Sequence, residues 1–389
     1  MTPSATPGAV DAVHVPVVHA SSSSAGAIVP DVGRIGVIRA SAMGDFVQAL
    51  PAFDALRVAY PAAEIVLIGT HMHEALLADR PSPVDRVVAL PRGAIWHTGR
   101  ALALDARALP VPGTPPDIRP SEILARLRAE SFDLVIQLHG GGRESNPVAQ
   151  TVGARITAGS ADTGVAPLDR TVPFEHFQSE TARTLEVVGL VGAGPVTLEP
   201  RLAVTHADAA GAAAALPASS QPLAVLHPGA TDPRRRWAPD RFALVGDALA
   251  ERGLQVAITG TGPEEAAIAA DIEAAMRHEA VSLVDRLSIP ALVGILARAR
   301  LVVGNDTGPL HLAGAVGAST VTIYWIGNLI TGGSPFRSRT RAVVSWRPDC
   351  PACGADATET RGCDHPVSFV DDVPVARVLE LAADLLRSG

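Results

Sequence analysis

The chain contains no lysine: all 32 basic residues among its 389 are arginine. GC-rich codon usage is enough to produce that bias, but the chemical consequence does not depend on its origin. A glycine-rich loop ending in Lys-Ser/Thr for nucleoside triphosphates is excluded, and so is a lysine Schiff base. Anions must be held by arginine, backbone amides and helix ends. Aromatic residues are scarce at 4%, so aliphatic side chains and alanine have to fill the cores. The three cysteines all fall between residues 350 and 363, which makes no disulfide framework of a secreted domain. No apolar run approaches the roughly 20 residues that a membrane-spanning helix requires. The first thirty residues are rich in Ala, Ser, Pro and Val and lack a basic leader region. They read as a disordered tail, 1–30, of a cytoplasmic protein. A net charge of -8 argues against nucleic acid as a partner.

What is present is an alternation. Short apolar runs such as "RIGVIRA", "AEIVLIGT" and "FDLVIQLHGGG" are separated by amphipathic helical stretches such as "DFVQALPAFDALRVAY". The rhythm blurs between about residues 190 and 222 and then restarts with "LAVLHPGA", "LQVAITGTG", "VSLVD", "RLVVGND" and "STVTIYW". Continuous apolar strands between helices predict parallel sheets covered on both faces. The expected fold is therefore α/β: two tandem Rossmann-like, doubly wound domains, 31–200 and 201–389, facing across a cleft, with the last helix free to pack back on the first domain. Ligands of such sheets bind beyond the carboxyl ends of the strands.

The polar residues cluster at those ends. "RASAMGD" follows the first strand, "HPGATDPRRRW" opens the second half, "GTGPEE" follows the next strand, and "NDTGPLH" follows a later one. In the last, Asp306 or Thr307 is placed to cap a helix, Pro309 suits its first turn, and Gly308 allows a ligand close to the backbone. A helix N-terminus of this kind attracts phosphate; an ordinary capped helix with a structural His311 is the bland alternative. Three consecutive arginines, 234–236, are costly to hold together unless an anion or acid neutralises them, and a diphosphate is the favoured partner. "GTGPEE" lacks the third small residue of a dinucleotide fingerprint, which argues against a nicotinamide cofactor. Glu264 or Glu265 is placed to bond a ribose or simply to decorate the first turn of a helix. Asp45 is a helix-capping carboxylate or, facing a nucleotide site, a general base.

Taken together these residues resemble glycosyltransferase family nine, the heptosyltransferase-like proteins. The resemblance runs from about residue 33 to 388. It rests on Arg39, Ser41, Gly44 and Asp45, then on Pro228, Gly229, Thr231, Arg235 and Trp237, then on Asp306, Thr307, Gly308 and His311. It implies a GT-B fold and an inverting, metal-independent transfer from a nucleotide-diphosphate sugar, by family default ADP-heptose, with no cofactor. It implies Asp45 as the base and Arg235, in place of the usual lysine, as the group that neutralises the leaving diphosphate. Thr231, Arg236, Glu264, Glu265, Asp306, Thr307, Gly308 and His311 would line the donor site. Ser41, His139 and Arg143, with the Pro/Gly-rich stretch at 91–120, would face a glycan or lipid-linked glycan acceptor, with the protein peripheral at the inner face of the membrane. A sugar-nucleotide epimerase of the same fold and a non-catalytic nucleotide-sugar-binding protein are the rival readings. Cys350, Cys353, Cys363 and His365 offer a zinc set, but the spacing is atypical, so reduced loop thiols without metal are expected.

Overall fold

The computed structural model describes residues 26–91, 94, 120–358 and 363–388. Strands β1 (Arg34–Ile38), β2 (Glu64–Thr70), β3 (Arg86–Leu90), β4 (Leu134–Gln137), β5 (Ile156–Ala161) and β6 (Arg170–Pro173) form one parallel sheet in the order β3-β2-β1-β4-β5-β6. Strands β7 (Leu223–His227), β8 (Gln255–Ile258), β9 (Ala280–Ser282), β10 (Ala299–Asn305), β11 (Thr320–Trp325) and β12 (Thr340–Ser345) form a second, ordered β12-β11-β10-β7-β8-β9. Counted from its own first strand, each half has the same order. The chain reverses direction across the sheet between β1 and β4 and again between β7 and β10, which opens a crevice at the carboxyl ends of those pairs. The central strands are mostly apolar because helices cover both faces: every residue of β4 and β7 is buried, down to the polar Gln137 and His227 at their carboxyl ends.

One apolar cluster joins the two halves. Phe46, Leu50 and Phe53 of helix Met43–Ala59 belong to the same buried group as Leu310 and Leu312 of helix Gly308–Ala315. Helix Glu180–Gly189 packs beside the former. A buried ion pair pins the junction: Arg80 Nη1 and Nη2 meet Asp208 Oδ2 and Oδ1 at 2.8 and 2.9 Å, both side chains 1% exposed.

Two expectations are corrected. Residues 26–30 are not part of a loose tail: the Gly26 amide donates to Gly189 O at 3.0 Å, and Val29 is buried with its amide on the Tyr60 hydroxyl at 3.0 Å. An apolar anchor at Val29 is enough to hold that stretch. The final helix, Val375–Ser388, does not return to the first half. Val378, Leu381, Ala382 and Leu385 are buried in the second-half core with Leu301, Val303, Val321 and Val343, because the second sheet needs that apolar stripe to close its own face. Residues 1–25 of the expected tail and most of the 91–120 stretch lie outside the described residues.

Candidate active site

The crevice between the halves is built from two helix beginnings. Helix Met43–Ala59 starts at Ala42 and helix Gly308–Ala315 at Thr307, and neither has a side-chain cap. The capping expected of Asp306 or Thr307 is not made, because the Thr307 hydroxyl instead donates to Asn305 O at 3.2 Å. Both ends therefore present unpaired amides and the positive end of the helix dipole. They meet closely. A Cβ on Gly44 would stand 2.9 Å from His311 Cδ2 and 3.2 Å from Gly308 Cα, and one on Gly308 would stand 3.2 Å from the Gly44 nitrogen. A side chain at either position would crowd the opposite helix end and require its neighbours to shift.

Asp45 stands at this meeting point, exposed, in the first turn of its helix. Among the described residues its carboxylate makes no hydrogen bond or ion pair. Its backbone is fixed from below: Arg39, 2% exposed at the end of β1, donates from Nη2 to Asp45 O at 2.8 Å and from Nη1 to Leu138 O after β4. Glu180 completes the anchor at 2.6 Å from Arg39 Nη2. Burial pushes the Glu180 carboxyl up, but Arg39 and Arg183 outweigh it and hold the group below its ordinary range. A charged pair of buried Arg39 and half-buried Glu180 thus sets the height of Asp45.

On the opposite wall Asp306, 5% exposed in its side chain, follows β10. Its Oδ1 faces His311 Nε2 at 3.0 Å and its Oδ2 faces Arg235 Nη1 at 3.5 Å. With the Asn328 amide oriented to offer its oxygen, Arg235 also donates from Nη2 at 3.1 Å and Nε at 3.3 Å. Each arginine of the run meets a protein acid. Arg234 folds onto Asp232, with Nη2–Oδ2 at 2.6 Å, and Arg236 onto Glu264 at 2.7 Å. Arg234 and Arg235 are equally exposed, but Arg235 makes the longest acid contact, at 3.5 Å against 2.6 and 2.7 Å, and so keeps the most capacity for a ligand. Thr231 is exposed on the same turn. Glu265 accepts from the Thr261 amide at 2.7 Å, and burial pushes its carboxyl upward.

The residues expected at the acceptor side divide. Among the described residues the buried Ser41 hydroxyl has no hydrogen-bond partner, and Arg143 is exposed. His139 is buried, and burial followed by the Arg39 cation lowers its pKa to about 4, against the pull of Glu180. It is a neutral imidazole under the floor of the crevice.

Asn305, Asn328 and Glu180 were not singled out from the sequence. Asn305 is buried and stitches the site together, accepting from the Trp237 amide at 3.1 Å and donating to Pro228 O at 2.7 Å. Its position as the last residue of an apolar strand was a usable signal. Glu180 and Asn328 carry none, because their partners lie far away in sequence.

Residues 122–353, more than half of the chain, match the model of glycosyltransferase family 9 (heptosyltransferase). Lipopolysaccharide heptosyltransferase 3 of Escherichia coli is 29% identical over 107 residues, 27% of this chain. That alignment spans 31% of the length of the curated relative. Among solved structures, the E. coli ADP-heptose lps heptosyltransferase II superimposes with a TM-score of 0.68 at 19% identity, over 91% of this chain and 98% of that one. A glycosyl transferase family 9 protein from Veillonella parvula gives 0.68 at 16% identity, over 92% and 98%. The chain therefore belongs to glycosyltransferase family 9.

Proposed function

We propose that the protein is an inverting glycosyltransferase that moves a sugar from a nucleoside-diphosphate donor to a hydroxyl of a glycan or lipid-linked glycan, with heptose from ADP-heptose as the favoured donor. The observation that carries this reading is the unengaged Asp45 carboxylate facing the uncapped N-terminus of helix Gly308–Ala315. Asp45 accepts the proton of the acceptor hydroxyl while that oxygen attacks the anomeric carbon. The bond from that carbon to the diphosphate breaks, and its electron pair leaves on the nucleoside diphosphate. Arg235 and the amides at Thr307–Gly308 receive the growing charge, already oriented before it forms. Thr231 and Thr307 contact phosphate oxygens, and the Asp306–His311 pair positions the sugar and diphosphate.

Arginine and helix amides together supply the neutralisation that a divalent cation supplies elsewhere, which supports a transfer without a metal on the donor and without a cofactor. Ser41 and Arg143 face the acceptor side, with His139 beneath them. No described helix is long and apolar enough to cross a membrane, and the enzyme works peripherally at the cytoplasmic face. The test is Asp45→Asn. It removes the base but keeps the shape, so transfer from ADP-heptose to a lipopolysaccharide-core acceptor should fall by about 10²–10⁴-fold, with ADP affinity unchanged. Added magnesium should leave the wild-type rate unaltered. Full activity in the variant would assign the base elsewhere. Intact ADP binding with no transfer in the wild type would favour the binding-protein reading.

A further inference from the structure

The connection from β12 to the final helix, residues 346–374, contains neither helix nor strand among its described residues. Connections of that length in a packed domain need something to organise them. Its apolar share is small, with Phe369, Val370 and Val373 buried beside Cys350, while Trp346 is 69% exposed. It nevertheless sits against functional ground. The Phe369 amide donates to Arg234 O and the Ser368 hydroxyl to Arg236 O, both at 2.7 Å, and Arg234 Nη1 reaches Cys363 O at 3.5 Å.

All three cysteines of the chain converge in this connection. The ligand atoms of Cys350, Cys353, Cys363 and His365 lie within 4.8 Å of one another, although Cys350 and His365 are fifteen positions apart. The first pair sits on a tight turn. The Gly354 amide donates to Cys350 O at 2.9 Å, the Cys350 amide to Ala355 O at 2.8 Å, and the Ala352 amide points at Cys350 Sγ at 3.4 Å. Gly354 has φ +69°, which permits that turn without strain. His365 turns Nδ1 towards Cys350 Sγ at 3.9 Å. In a tetrahedral zinc site with bonds of about 2.0–2.3 Å, neighbouring ligand atoms stand roughly 3.5–3.8 Å apart. The cluster needs only a small contraction to reach that.

We propose that these four residues hold a structural zinc ion that clamps the 346–374 connection against the arginine turn. The set of three thiolates and one imidazole selects a thiophilic tetrahedral metal, and it fills all four positions, leaving none open for catalysis. The atypical spacing is thus resolved by the fold, and the expectation of metal-free thiols gives way. Binding would replace the thiol protons of the cysteines with the metal and release them to solvent. The inference does not rest on the transferase reading, since metal content is read without activity.

The test is metal analysis of the purified full-length protein beside Cys353→Ser, chosen because Cys353 is exposed and its loss disturbs no core. One zinc per chain in the wild type, gone in the variant with the circular dichroism spectrum unchanged, is the expected result. If the variant does not fold, mercurial titration of the wild type decides instead: zinc should leave in step with modification of the three thiols. A cysteine disulfide, or three free thiols with no metal after growth in zinc, would overturn the proposal. Iron held by the same thiols would overturn the assignment to zinc.

Discussion

The two halves share a strand order and differ in what their strand ends carry. In the first half, β1 and β4 end over a charge pair, buried Arg39 with half-buried Glu180, and beside it stands the exposed carboxylate of Asp45, which makes no hydrogen bond or ion pair among the described residues. In the second, β7 and β10 end in matched acid–base pairs, Arg235 with Asp306 and Asp306 with His311, around an uncapped helix end. On the proposed function, one half would take a proton and the other would hold an anion. Because the frame is the same, the difference lies in the connections, which is where an α/β sheet carries its chemistry. Neither half suffices alone, since Gly44 and Gly308 bring the two helix ends together.

The largest effect is expected where the halves are joined. Arg80→Ala leaves the buried Asp208 carboxylate without its cation and should cost about 3–5 kcal/mol of stability, read by urea unfolding. If the junction rather than the charge matters, the double variant Arg80→Met with Asp208→Asn should recover much of the loss, because a neutral pair has no desolvation to repay. No recovery would mean that the charged pair itself holds the junction, and not only that an unpaired buried carboxylate is costly.

Next in size is the anion side. Arg235→Ala should lower kcat/KM for transfer by about 10²–10³-fold and weaken ADP binding. Arg234→Ala and Arg236→Ala should do far less, since Asp232 and Glu264 already occupy their guanidinium groups. Equal losses at all three would restore the picture of a single arginine cluster around one diphosphate.

That arginine run shows what could be read in the chain and what could not. The strand ends were legible because apolar Val/Ile/Leu runs stop abruptly at Arg39, His227 and Asn305, and the shared fold follows from their alternation with helices. Strands β5, β6 and β12 were not legible. "ITAGSA", "RTVP" and "TRAVVS" mix small and polar residues, and they become strands through pairing with β4, β5 and β11 rather than through their own apolarity. Two of the arginines' neutralising partners were equally hidden: Asp306 lies 71 positions from Arg235, and Glu264 lies 28 from Arg236, whereas Asp232 stands two positions before Arg234. Sequence periodicity sees one element at a time, so it finds the positions that face a crevice but not the residues that meet across it.

The smallest effect at neutral pH separates the halves by titration. Burial, with the Arg39 cation adding to it in the first half, holds His73, His139 and His227 neutral down to about pH 4, whereas an ordinary histidine takes up its proton near 6.5. Between those values the unfolded chain binds more protons than the folded one. Stability from these groups is therefore complete above pH 6.5 and is lost as pH falls towards 4, by up to about 1.4 kcal/mol per pH unit for each histidine. Two of the three belong to the first half, beside Arg39. Replacing His73 and His139 with Asn should flatten the acid loss measured by urea unfolding more than His227→Asn does, while leaving the unfolding midpoint at neutral pH changed only by the altered packing. If His227→Asn flattens it as much, the acid sensitivity belongs to the anion-holding half, and the Arg39 cation adds little to what burial alone achieves.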